Sequence, residues 1–189
     1  MRIVAVHGFN VKDGGKNTVD RFASFIQAAG WEIDVDEGNY GYVHLLSVRL
    51  FGRKKRKAVI KTLARAFERA DVIITHSNGA NYSTKALNKI HGSKVVIHIS
   101  PALNATTPVP ESVSHQLVLS TPYDGWVRLA SYLPLHPWGR MGARGYLGDS
   151  PKVTNRMDAS VKGHSKWFSD AQVTKTWTHC LNFIKESLK

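Results

Sequence analysis

Residues 71–88 read DVIITHSNGANYSTKALN. The first five, DVIIT, form a short β-branched run without polar alternation, the pattern of a strand covered by helices on both faces. The run stops at His76-Ser77-Asn78-Gly79-Ala80, and residues 79–90 then predict a helix. Its propensity is weak, because Asn81, Tyr82, Ser83 and Thr84 fill its early turns. A strand, a tight turn with Ser at its tip and a helix make the geometry of a nucleophile elbow. Such a turn strains the Ser backbone and demands small neighbours, which Gly79 and Ala80 supply. A plainer use stays open: a Ser between a strand and a helix can simply cap the helix.

Working outward, the same alternation fills the chain. Upstream, residues 2–7 predict a buried strand, and residues 18–29 a helix with Val19, Phe22, Phe25, Ile26 and Ala29 on one face. Asn17 is placed to cap that helix, with Asp20 three residues later, and Gly30 to end it. Residues 31–36 alternate apolar and acidic, as suits an edge strand, and residues 54–70 predict an amphipathic helix. Downstream, residues 94–99 and 116–120 predict strands, and residues 125–133 a helix. Residues 134–151 read as a loop, the one candidate for a short lid. Residues 152–157 predict a last strand and residues 170–188 a last helix, with Ser169 and Gln172 as a capping box. The pattern is α/β: a three-layer sandwich with a mainly parallel sheet and helices on both faces, one domain over residues 1–189.

In such sheets chemistry gathers at the carboxyl ends of the strands. The strand before the Ser77 turn is one such end. Residues 116–120 lead to Thr121-Pro122-Tyr123-Asp124-Gly125, and the last strand leads to Lys162-Gly163-His164-Ser165. Ser77, Asp124 and His164 thus follow one another in the chain order of one known Ser-Asp-His arrangement. Asp124 also fits a turn residue before Gly125, with Asp149 and Asp158 as rival acids. Among the other histidines, His98 is expected in the core, His76 is expected to point away from Ser77, and His7 reads as structural. The first strand ends in His7-Gly8-Phe9-Asn10, so main-chain N–H groups of Phe9 and Asn78 are candidates for an oxyanion hole.

These residues carry a resemblance. From His7-Gly8 through H-S-N-G to His164, the chain resembles the α/β-hydrolase superfamily, and within it small serine esterases and lipases that lack a cap domain. The usual elbow is G-x-S-x-G; here Thr75 stands for the first Gly. The resemblance implies Ser77 as nucleophile, His164 as general base, Asp124 as the acid that orients it, and Phe9 and Asn78 as oxyanion donors. It implies a carboxylesterase acting through an acyl-enzyme, with no metal or cofactor. Residues 100–115 are too few for a cap domain. Tyr40, Trp126 and Trp138 are candidates to contact substrate, a small-molecule ester or one displayed on a polymer.

Charge adds a second theme. The chain has 189 residues, with 26 Lys and Arg against 14 Asp and Glu, a net charge of +12. The excess sits in two segments: residues 49–69 carry nine bases against Glu68, and residues 128–166 carry seven against Asp149 and Asp158. Concentrated positive charge attracts polyanions, though it also serves as an ordinary solvated helix face. An inactive hydrolase-fold module that binds a polyanion is therefore the alternative function. At 42% hydrophobic residues the chain is not wholly disordered. A single cysteine, Cys180, excludes an internal disulfide and a cysteine-based zinc cluster. The four-residue apolar run near Met1 is short for a signal peptide and no run is long enough for a span, so a cytoplasmic setting is expected.

Overall fold

In the computed structural model, which describes residues 1–8, 17–35, 53–132 and 138–189, six strands form one sheet. They are β1 (Arg2–Val6), β2 (Glu32–Asp34), β3 (Val72–His76), β4 (Lys94–Ile99), β5 (Val113–Ser120) and β6 (Val153–Met157). The spatial order is β2-β1-β3-β4-β5-β6, and every neighbouring pair is parallel. The order reverses beside β1: the chain steps outward to β2, then crosses back to β3. In an open α/β sheet that reversal opens a crevice at the carboxyl ends of the two central strands, where β1 and β3 end in His7-Gly8 and His76-Ser77.

The helices are α1 (Ala23–Ala28), α2 (Arg53–Glu68), α3 (Gly79–Leu87), α4 (Gly125–Ala130), α5 (Met141–Arg144) and α6 (Val173–Ser187). Successive strand residues enter opposite layers. Ile3, Ala5, Val72, Ile74, Val95 and Ile97 pack with Phe22, Ile26, Trp177 and Ile184 from the α1 and α6 side. Val4, Val6, Ile73 and Val96 pack with Leu63 and Phe67 of α2 and Tyr82 and Leu87 of α3. Both faces of these strands need apolar side chains, which is why DVIIT shows no alternation. Each such Val, Ile or Leu contributes roughly 1.5–3 kcal/mol on burial. The weak propensity of α3 is overridden in the same way, for eight of its nine residues are buried.

Several local expectations change. The helix over 18–29 begins as a 3-10 turn (Val19–Phe22) whose N-cap is Thr18 and not Asn17, with no side-chain cap hydrogen bond. Asp20 instead accepts from the Thr18 N–H at 2.8 Å. The Ser169–Gln172 capping box does not form: the Ser169 hydroxyl donates to the Lys166 carbonyl, and Gln172 reaches Ser160. Residues 134–151 are not all loop, since α5 lies within them. Met141, Gly142 and Ala143 are buried there, and the Met141 and Gly142 N–H groups donate to the Leu103 and Pro101 carbonyls. The exposed bases Lys54, Lys55, Lys57, Lys61 and Arg65 lie on the outer side of α2, on the flank of the sheet.

His98 is a core residue, as expected. It is buried on β4, and its Nδ1 meets the Thr75 hydroxyl of β3 at 2.6 Å. Burial lowers its pKa from 6.5 to about 3. Above pH 6.5 the folded and unfolded chains both hold this ring neutral. Below it the unfolded chain takes up a proton that the folded chain refuses, so stability falls as the pH drops toward 3. By pH 4.5 the loss is about 2–3 kcal/mol. Removing both hydrogen-bond partners together (Thr75→Val with His98→Leu) leaves no orphan polar group. That double variant should show a flatter decline of urea midpoint between pH 7 and 4.5; an unchanged slope would assign the acid sensitivity elsewhere.

Candidate active site

Register brings the first parts together. Val6 of β1 pairs with Thr75 of β3, so His7 and Gly8 leave the sheet beside His76 and Ser77. Ser77 has φ +54°, a left-handed conformation that a side-chain-bearing residue adopts only when its surroundings hold it there. They do: the Ser77 N–H donates to the Ile99 carbonyl at 3.1 Å, and the Ser77 carbonyl accepts from Ala102 at 3.0 Å and Ala80 at 3.2 Å. Close approach explains the glycines. A Cβ on Gly79 would stand 2.4 Å from the His7 carbonyl oxygen, and one on Gly8 would stand 3.0 Å from the Ser77 Cβ. The turn therefore wedges between β1 and α3, with the Ser77 side chain at its tip.

The other two residues come from the far half of the sheet. Asp124 ends the segment after β5 and is fully buried, and His164 lies on the loop before α6 with 13% of its side chain exposed. His164 Nδ1 lies 2.8 Å from Asp124 Oδ2 and 2.9 Å from Oδ1. A carboxylate only accepts, so Nδ1 donates, and the Nε2 lone pair is left available as a base. Asp124 Oδ1 also accepts from the Val127 N–H at 3.0 Å, capping α4. The turn role and the histidine contact thus belong to one side chain. Asp158, a rival acid, turns to Lys175 at 2.7 Å and to Ser160. The floor under Asp124 is close: a Cβ on Gly142 of α5 would come within 3.0 Å of Oδ2.

His76, expected to point away from Ser77, sends its ring against His164. It packs on the His164 ring, with centroids 4.8 Å apart, and meets the Phe168 ring edge-on at 5.0 Å. Burial holds its pKa well below 6.5, and positive charge on His164 or His7 would lower it further. His76 is thus a neutral wedge that fixes the neighbouring imidazole. Cys180 lies in the core, where burial pushes its thiol up to about 12, so it offers no thiolate. Among the described residues, no group of three or more His, Cys, Asp or Glu is placed to hold a metal.

Asn78, buried, starts α3, so its backbone N–H stands at the positive end of a nine-residue helix. Its side-chain oxygen accepts from the Trp138 indole N–H at 2.6 Å. Trp138, expected as a substrate contact, is thereby tied to the elbow itself. The proposed second oxyanion donor, Phe9, and the proposed substrate contact Tyr40 lie outside the described residues.

Solved structures share this fold. An esterase of Pyrococcus furiosus superposes with a TM-score of 0.61 at 12% identity, over 100% of this chain and 82% of that one. A dienelactone-hydrolase-like promiscuous phosphotriesterase from metagenomic libraries gives 0.57 at 14%, over 98% and 85%. The esterase domain of a Rhodothermus marinus protein gives 0.53 at 12%, over 93% and 82%. The chain has the α/β-hydrolase fold. No protein-family model and no curated protein sequence matches it.

As a hydrolase fold it is spare. Between β4 and β5, residues 100–112 carry no helix or strand. Beside His164 opens a cleft of about 730 Å³, walled by Tyr123, Trp126, Leu129, Arg21, Lys162 and Lys166. Trp126, expected as a substrate contact, stands on its rim. Ser77 is not in its wall. Lys162 and Lys166 belong to the basic segment 128–166 that the sequence singles out, whereas Arg21 of this cleft and the His76 wedge escape it. Lys162 and Lys166 flank His164 two residues away on either side, a signal visible in the sequence; Arg21 arrives from the opposite end of the chain and leaves none.

Proposed function

We propose that the protein is a serine hydrolase of ester bonds, a carboxylesterase that works through Ser77, His164 and Asp124. The observation that supports this best is a histidine whose proton is held on Nδ1 by a buried carboxylate 2.8 Å away, in a sheet whose strand β3 ends in a strained Ser77 (φ +54°). In this reading His164 Nε2 takes the Ser77 proton as Oγ attacks the acyl carbonyl. Asp124 keeps the imidazole in the useful tautomer and stabilises its cation. The Asn78 N–H, with Phe9 as the second donor, receives the tetrahedral oxyanion, each donor contributing about 3–4 kcal/mol. His164 then gives its proton to the leaving alcohol. Water, activated by the same imidazole, releases the acid from the acyl-enzyme. The fold-mates named esterase and hydrolase agree with this chemistry.

A second reading keeps the fold and drops the chemistry: a polyanion-binding module that uses the exposed bases of α2. A fluorophosphonate probe separates the two. The esterase reading expects stoichiometric labelling, an adduct mapped to Ser77 and no labelling of Ser77→Ala. An unlabelled wild type, together with polyanion binding that weakens steeply with salt, would instead establish the binding module.

A further inference from the structure

We infer that the cleft beside His164 is a subsite for an anionic group on the alcohol part of the ester, carried on an apolar body. The inference rests on the esterase reading for the word alcohol, and on the cleft itself for the rest. Its walls combine two chemistries. Tyr123, Trp126 and Leu129 stand 51%, 72% and 60% exposed, a large apolar surface for a helix and turn flanking the site. Trp126 and Leu129 are three residues apart on α4 and share a face. Around them stand Arg21, Lys162 and Lys166, and no described residue in the wall is acidic. The Lys162 ammonium sits 3.6 Å from the centre of the Tyr123 ring. A ring face steadies a cation without neutralising it. Lys162 and Lys166 have no carboxylate partner among the described residues, whereas Arg21 pairs with Asp170 and donates to the Phe168 carbonyl. Two uncompensated cations beside an aromatic floor suit a carboxylate or phosphate whose body stacks on Trp126.

Position assigns the cleft to the alcohol. The acyl carbon must sit at Ser77, which is outside the cleft wall, and the departing oxygen must sit at His164, which forms part of that wall. An alcohol protonated by His164 therefore leaves through the cationic cleft.

Acetate esters that differ only in the alcohol test this. The first pair is 4-acetoxyphenylacetate and its neutral primary amide; a third ester, 4-acetoxybenzylphosphonate, separates phosphate-type from carboxylate recognition. Wild type should favour at least one anionic ester over the amide about tenfold in kcat/KM, and raised salt should erode the preference. In Lys162→Gln/Lys166→Gln the ratio should fall toward one, and in Lys162→Glu/Lys166→Glu it should invert. A wild-type ratio of one or less, or a ratio that the variants leave intact, overturns the inference. Calorimetry with 4-hydroxyphenylacetate and 4-hydroxybenzylphosphonate on the Ser77→Ala protein tests the cleft without turnover. Binding that Lys162→Gln/Lys166→Gln abolishes supports the subsite even where the labelling experiment fails. Absence of binding to either ligand removes the subsite even where Ser77 proves reactive.

Discussion

Ser77→Ala and His164→Ala should each reduce kcat on a simple ester by about 10⁵–10⁶, and the double variant should lose little more than either alone. The reason is that the two side chains perform one act. Without Oγ there is nothing for His164 to deprotonate; without His164 the Ser77 hydroxyl keeps its proton at neutral pH and attacks poorly. The rate left in each variant comes from the backbone around the turn, which both substitutions spare. In the proposed mechanism the Asn78 N–H, at the start of α3, would still serve the developing charge. Steady-state kinetics on the three proteins checks this. Two losses that multiply in the double variant would mean that Ser77 and His164 act independently.

Asp124→Asn should cost about 10⁴ in kcat with little change in KM. Nδ1 of His164 lies within 2.9 Å of both carboxylate oxygens. A carboxamide in that place can turn its NH₂ toward the ring, and Nδ1 then accepts. The proton moves to Nε2, where it blocks the base. The second carboxylate contact, from the Val127 N–H, needs only an acceptor, which the Asn oxygen supplies, so the α4 cap survives. The variant should therefore fold normally while failing in chemistry, and its rate should recover partly at high pH. A loss below about tenfold would assign Asp124 to the helix cap alone.

The element order was legible because of how the sheet is covered. Strands with both faces buried write themselves as VIIT or VVI, and that signal survives without knowledge of the partner strands. The elbow was legible for a related reason: a left-handed Ser squeezed between β1 and α3 needs small residues beside it, and Gly8 and Gly79 appear where contact requires them. Other features depend on what lies across the fold. Ser169 could have capped α6, but the turn at Lys166–Phe168 offered its hydroxyl a carbonyl first. α5 is four residues long and exists because Leu103 and Pro101 carbonyls await its N–H groups, a reason absent from its own residues. Thr75 departs from the elbow pattern because its hydroxyl meets His98 of the next strand, a pairing that register alone creates. His76 turned toward His164 because the α6 side of the sheet supplies Phe168 to receive its ring edge-on.

The parallel sheet has a consequence for how the proposed site assembles. Ser77 depends on β1, β3 and β4 for its hydrogen bonds and neighbours, while the Asp124–His164 pair, 40 residues apart in sequence, depends on β5, β6 and the approach to α6. Among the described residues, no hairpin or other local fragment holds a usable subset. Parallel pairings close long loops and form slowly, so during refolding secondary structure should return before any turnover does. Hydrolysis would then report the arrival of the last strand, and a proteolytic nick that frees β6 should silence the molecule while leaving most of its core standing.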